Sequence, residues 1–132
     1  MEYLTFSGTV IKGSGLGAKE LVATANLKPE IAPSQLKAGV YAAFVEFNNN
    51  WYHSALFFGH RKSVDKKNAL ELHLINQDFD LYNVLLKVVV LSKIRDVEHF
   101  LDLQSLRNQI KLDLLEAEKI CCQNLKILSD LT

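Results

Sequence analysis

Three glycines in five positions, Gly13, Gly15 and Gly17, open the segment GSGLGAKELVATANL (13–27), which runs on through Lys19 to Thr24 and Asn26. Glycines so spaced let backbone N–H groups approach an anion closely. Lys19 adds a positive point charge. The Thr24 hydroxyl can ligate Mg²⁺, and Asn26 can donate to a phosphate or hold the metal's waters. Farther on, ALELHLI (69–75) alternates, with Leu70, Leu72 and Leu74 on one face and Glu71 and His73 on the other. A carboxylate on the polar face of a rigid strand is a candidate general base. Phosphoryl transfer asks for these parts: amides that cradle phosphates, a divalent cation, and a base that orients the attacking hydroxyl. Taken singly, each has a plainer reading as a hairpin tip, a turn-former or the solvated side of a sheet.

Other chemistries lack their parts. No Gly-x-Ser-x-Gly elbow is present, and Cys121 and Cys122 lie in a helical pattern with no histidine near them in sequence, so nucleophilic hydrolysis has no support. The histidines at 53, 60, 73 and 99 lack i, i+4 spacing and there is no Cys-x-x-Cys, so a structural zinc site is not expected. The glycine loop is neither a Walker A motif nor a Rossmann fingerprint. Lys plus Arg equal Asp plus Glu at 15 each, which argues against a nucleic-acid partner. The basic run RKSVDKK (61–67) reads as a solvated connection. Adjacent cysteines on a helix do not bridge, and no apolar run is long enough to cross a bilayer. A reduced, cytoplasmic setting without membrane attachment is expected.

The elements that must position these residues are mainly strands. YLTFSGTVI (3–11), GVYAAFVEF (39–47), WYHSALFFG (51–59), ALELHLI (69–75) and VLLKVVVL (84–91) read as strands, and the asparagines at 48–50 make a hairpin turn of the second and third. Lys93 and Arg95 follow the last strand as surface charge. The period then changes: Leu103, Leu106, Ile110, Leu114, Ala117, Cys121, Leu125 and Leu128 recur at steps of three and four, with Asp102 as N-cap. The chain of 132 residues fits one domain, residues 1–132, with a small antiparallel barrel over about 3–92 and a helix over about 102–128.

The order of the parts resembles the riboflavin kinase (flavokinase) family. That family shows Gly-x-Gly-x-Gly-x-Lys-x-Leu-Gly-x-Pro-Thr-Ala-Asn, and here GSGLGAKEL runs into VATANL. GVY (39–41), LFFG (56–59), ELHL (71–74), DLY (80–82) and KIR (93–95) with Phe100 and a helix follow in the family's order. The similarity covers about residues 5 to 120. The departures are the missing Gly, which shortens the loop by one residue, Ala23 in place of Pro, and HRKS (60–63) after the later glycine. Glu98 also stands where some members carry a basic residue.

The resemblance implies a mainly β, six-stranded closed Greek-key barrel with a long C-terminal helix, transferring the γ-phosphate of ATP to the ribityl 5′-hydroxyl of riboflavin to give FMN. Glu71 would be the catalytic base. Gly13, Gly15, Gly17, Lys19, Thr24, Asn26, Leu74 (through its backbone), Asn76 and Tyr82 would bind ATP, and Thr24 and Asn26 would hold Mg²⁺, with Zn²⁺ or Mn²⁺ as alternatives. Arg95 and Phe100 would face the flavin. The partners are then the small molecules riboflavin and ATP, bound by a monomer whose apolar helix end permits a weak dimer. The alternative for the same residues is a flavin- or nucleotide-binding module without catalysis. No adenylyltransferase domain is read in the chain, so FAD formation is not expected of it.

Overall fold

A computed structural model describes residues 3–12, 23–60, 68–77 and 80–131. Six antiparallel strands form one curled sheet: β1 (Leu4–Thr9), β2 (Ala23–Leu27), β3 (Gly39–Phe47), β4 (Asn50–His60), β5 (Asn68–Leu74) and β6 (Leu85–Arg95), in the order β1-β6-β3-β4-β5-β2. Helix α1 (Leu103–Gln123) lies against the sheet and a short helix α2 (Lys126–Leu131) follows. The outermost strands approach each other at one point, where the Ile11 N–H donates to the Asn26 carbonyl at 2.7 Å.

Five strands fall where the sequence reading placed them, with shifted ends. β2 is an addition: ATANL alternates apolar Ala25 and Leu27 with polar Thr24 and Asn26 over only five residues, and it pairs with β5 from Ala23↔Leu74 to Leu27↔Leu70. β6 runs on to Arg95, so Lys93 and Arg95 are strand residues and not the approach to the helix. The β3–β4 turn uses Asn48 and Asn49 at φ 56° and 64°, the left-handed region that asparagine tolerates and hairpin turns need.

The curl of the sheet makes two apolar layers. Its inner side collects Leu56, Leu70, Leu72, Leu74, Leu86 and Val88, with Ala25 and Leu27 of β2. Its outer side packs Ala42, Phe44, Ala55 and Val89 against Ala117 and Cys121 of α1 and Ile127 of α2. Burying a side chain the size of Phe44 contributes about 1.5–3 kcal/mol, so this layer holds the helix firmly.

α1 starts as expected, with the Asp102 carboxylate accepting the Ser105 N–H at 2.7 Å. It does not run unbroken to 128. The Asn124 amide donates to the Ile120 carbonyl at 2.7 Å, and the Asn124 N–H donates to the Cys121 carbonyl, which ends the helix before α2 restarts. The buried residues of α1 are Ile110, Asp113, Ala117 and Cys121, so a carboxylate stands in the apolar stripe. No helix among the described residues is long and apolar enough to cross a membrane.

Candidate active site

The strand registers lay out two rows of residues on the helix-bearing side of the sheet. One row reads Ile11, Asn26, Glu71, Phe57, Val40, Arg95 across successive strands. The next reads Thr24, His73, Ala55, Ala42, Ser92. Directly opposed residues of antiparallel strands point to the same side, so Thr24, Asn26, Glu71 and His73 form one polar patch. The leucines between them point to the inner core.

Glu71 and His73 are not the solvated side of the sheet. They are only 7% and 5% exposed. The His73 Nε2 stands 3.6 Å from the Glu71 Oε1, close enough for electrostatic contact and too long for a hydrogen bond. Its Nδ1 faces the Thr24 Oγ1 at 3.5 Å. The sequence pattern paired His73 with Glu71 on one face but gave the imidazole no task. The structure sets it between Glu71 and Thr24, within electrostatic reach of the first and at the edge of hydrogen-bond distance from the second.

At the far end of the first row, Arg95 is held by three anchors. Its Nε and terminal nitrogens donate to both carboxylate oxygens of Asp113, each at 2.8 Å, and it also donates to the Asp96 carbonyl at 3.0 Å. Gln109 donates to the same Asp113 at 3.0 Å. The guanidinium carbon lies 5.9 Å from the centre of the Phe100 ring, a cation–π distance. Arg95 and Phe100, named together from sequence, are thus brought together. Asp113 was missed, although a lone carboxylate between Ile110 and Ala117 in an apolar stripe was a visible signal. Nearby, Lys93 pairs with Asp96 at 2.5 Å, which holds the Asp96 carboxyl below its ordinary value and the Lys93 amine above its own.

At the opposite end, Tyr82 stands 48% exposed at a cleft of about 300 Å³ formed with Thr9, Ile11, Lys12, Lys28 and Asn83. The cleft therefore begins one strand from Asn26 and two from Glu71. Asn76 sits exposed just after β5 at φ 61°, and Leu74 is fully buried in the inner core, leaving only its backbone for a ligand. Gly13, Gly15, Gly17 and Lys19 lie outside the described residues, as does the run 61–67.

Three strand spacings of roughly 4.8 Å separate Glu71 from Arg95, so the path along the curled sheet across Phe57 and Val40 is about 14 Å. A cleft flanked by lysines, then oxygen donors, then a carboxylate, then an apolar stretch ending in a fixed guanidinium is an ordered array for an elongated, two-part reaction. The family description "Flavokinase: Riboflavin kinase" matches residues 1–121. The chain belongs to the riboflavin kinase family.

Among its curated relatives, this riboflavin kinase family chain is 33% identical over 110 residues to the "RNA-binding riboflavin kinase RibR" of Bacillus subtilis, covering 82% of this chain and 47% of that protein. It is 28% identical over 121 residues to the "Riboflavin kinase" of Mus musculus, covering 85% of this chain and 77% of the mouse protein. It thus spans less than half the length of the Bacillus relative. The riboflavin kinase structure from Trypanosoma brucei superposes with a TM-score of 0.62 at 22% identity, over 95% of this chain and 83% of that one. That likeness speaks to the fold alone.

The fold also overturns the separation of histidine from cysteine expected from sequence. His53 of β4, 65 positions before Glu118, contacts the Glu118 Oε1 through its Nδ1, and the Cys122 Sγ donates to the same oxygen at 3.4 Å.

Proposed function

We propose that the chain is an ATP:riboflavin 5′-phosphotransferase that forms FMN, with Glu71 as the base. The row running from the lysine-flanked cleft through Asn26 and Glu71 to Arg95 and Phe100 supports this reading, because it would set phosphate donor, acceptor alcohol and flavin ring in reaction order. The nucleotide would occupy the Tyr82 cleft, with the Leu74 backbone and Asn76 at its edge and the glycines at 13, 15 and 17 and Lys19 around its phosphates. The flavin would lie between Glu71 and the Arg95–Phe100 pair, with Phe57 and Val40 between.

A primary alcohol is a poor nucleophile. The Glu71 carboxylate would accept its proton while the hydroxyl oxygen attacks the γ-phosphorus, and ADP would leave toward the cleft. His73 positions Glu71 and Thr24 and needs no proton transfer of its own. Thr24 and Asn26 offer oxygen donors beside a carboxylate, a set suited to a hard cation, and these two residues would hold Mg²⁺. When bound, that ion would neutralise charge developing on the phosphates.

We also read the single domain over 1–132 as a closed Greek-key barrel, on the support of the Ile11–Asn26 contact that joins its outermost strands. All site residues come from one chain, so a monomer suffices, and use of ATP fits a cytoplasmic setting. The test is incubation of purified protein with riboflavin, ATP and Mg²⁺, followed by chromatographic separation of flavins. FMN should accumulate in proportion to protein. Riboflavin- or ATP-induced thermal stabilisation with no FMN would instead favour a binding module, the reading that the shortened loop motivates.

A further inference from the structure

Away from the active-site rows, the β4–α1 contact gathers three side chains of metal-ligating type that the proposed reaction does not use. The Nδ1 of His53, a carboxylate oxygen of Glu118 and the Sγ of Cys122 all lie within 4.8 Å of one another. We propose that His53, Glu118 and Cys122 bind a borderline-soft divalent cation of the zinc type, clamping α1 to β4.

The donor set carries the choice of cation. Imidazole, carboxylate and thiolate together suit zinc, whereas the oxygen donors at Thr24 and Asn26 suit magnesium. Zinc–ligand bonds of about 2.0–2.3 Å in a tetrahedron place ligand atoms roughly 3.4–3.6 Å apart. The Sγ-to-Oε1 distance of 3.4 Å already fits, and the remaining adjustments are side-chain rotations of about 1 Å. Three protein ligands leave the fourth position to water.

The supports are rigid where they need to be. Glu118 and Cys122 are four residues apart on α1 and so share one helix face. The His53 ring packs edge-on against buried Phe44, with centroids 5.6 Å apart, and its Nδ1 contacts Glu118. Cys122 and Glu118 stay accessible enough for an ion to enter. Cys121 is no ligand: it is buried, donates to the Ala43 carbonyl at 3.5 Å, and burial pushes its thiol up to about 12. Binding forms a metal–sulfur bond and releases the Cys122 proton to water, so affinity rises with pH. The Glu118 carboxylate raises the Cys122 thiol above its ordinary value, and a cation between them reverses that repulsion.

Co²⁺ titration of the full chain tests the proposal, because thiolate ligation gives a charge-transfer absorption that oxygen ligation does not. One Co²⁺ per chain should bind with that absorption, and Zn²⁺ should abolish it while excess Mg²⁺ leaves it in place. Cys122→Ser, a change at an exposed side chain, should remove the absorption with the circular dichroism spectrum intact. Glu118→Gln should weaken Co²⁺ at least ~10–100-fold, the loss that even outer-sphere changes cause. Zn²⁺ should raise the melting temperature of the parent protein and not of Cys122→Ser. Absence of the absorption, its survival in Cys122→Ser, or its displacement by Mg²⁺ would each overturn the assignment.

Discussion

Removing the Asp113 carboxylate should be among the costliest single changes to this protein, because it strands Arg95. The guanidinium side chain is 18% exposed and the carboxylate 6%, and two bonds of 2.8 Å join them side by side. Breaking a buried pair by deleting one partner typically costs 3–5 kcal/mol, since the other charge stays buried without compensation. Arg95 keeps its bond to the Asp96 carbonyl and a little solvent, which places Asp113→Ala at the low end, about 3 kcal/mol. An unfolding entropy of about 2.1 cal/mol/K per residue over 132 residues gives ~0.28 kcal/mol per kelvin, so melting should fall by about 11 °C. Calorimetry on the single variants Asp113→Ala and Arg95→Ala and on the double variant isolates the coupling. The double variant should be nearly as stable as Asp113→Ala alone, or more so. In activity assays the Asp113 variant should show a raised KM for riboflavin, because Arg95 loses its fixed place beside Phe100. A fall under about 3 °C for Asp113→Ala would put the pair in the class of exposed ion pairs and refute the reasoning.

Three further outcomes follow from named groups. A thiol reagent should label Cys122 alone in the native protein and both cysteines after unfolding, and Glu118→Gln should speed the native reaction by lifting the restraint on the Cys122 thiol. Gly59→Ala should destabilise by about 1–3 kcal/mol in a denaturant titration, because Gly59 holds φ 147° and a Cβ there would come within 2.8 Å of Val97. Asp102 accepts the Ser105 N–H and is held below its ordinary value of 3.8, so its stabilisation is present above that value and is lost as pH falls below it. Asp102→Asn should keep the cap and flatten that part of the acid limb of a stability profile.

What could be read in advance divides along physical lines. Alternation located β5, apolar runs on either side of a turn signal located β3 and β4, and the paired asparagines marked the hairpin because few side chains tolerate positive φ. β2 was missed although ATANL alternates apolar and polar residues: five residues beside a glycine loop carry a short signal, and the pairing with β5 that completes it is long-range. The break at Asn124 was hidden because the apolar period continues through it into α2. Glu71, Thr24 and Asn26 could be picked out as chemical types, but their burial and adjacency depend on strand order, which is a long-range property. The same holds for His73, for the Asp113 clamp on Arg95, and for the meeting of His53 with Cys122 from distant parts of the chain. The missing Gly and Pro of the loop motif are plain in the sequence. Their consequence falls on Thr24, whose hydroxyl nonetheless reaches the polar patch beside His73.

The most direct test of the account replaces Glu71 with Gln, which keeps size and hydrogen-bonding capacity and removes the base. Turnover of riboflavin to FMN should fall by at least the 10²–10⁴-fold that a general base typically contributes. Riboflavin binding, followed by quenching of flavin fluorescence, and the melting temperature should stay close to those of the parent protein. A Glu71→Gln protein that still forms FMN at the parent rate would contradict the account at its centre.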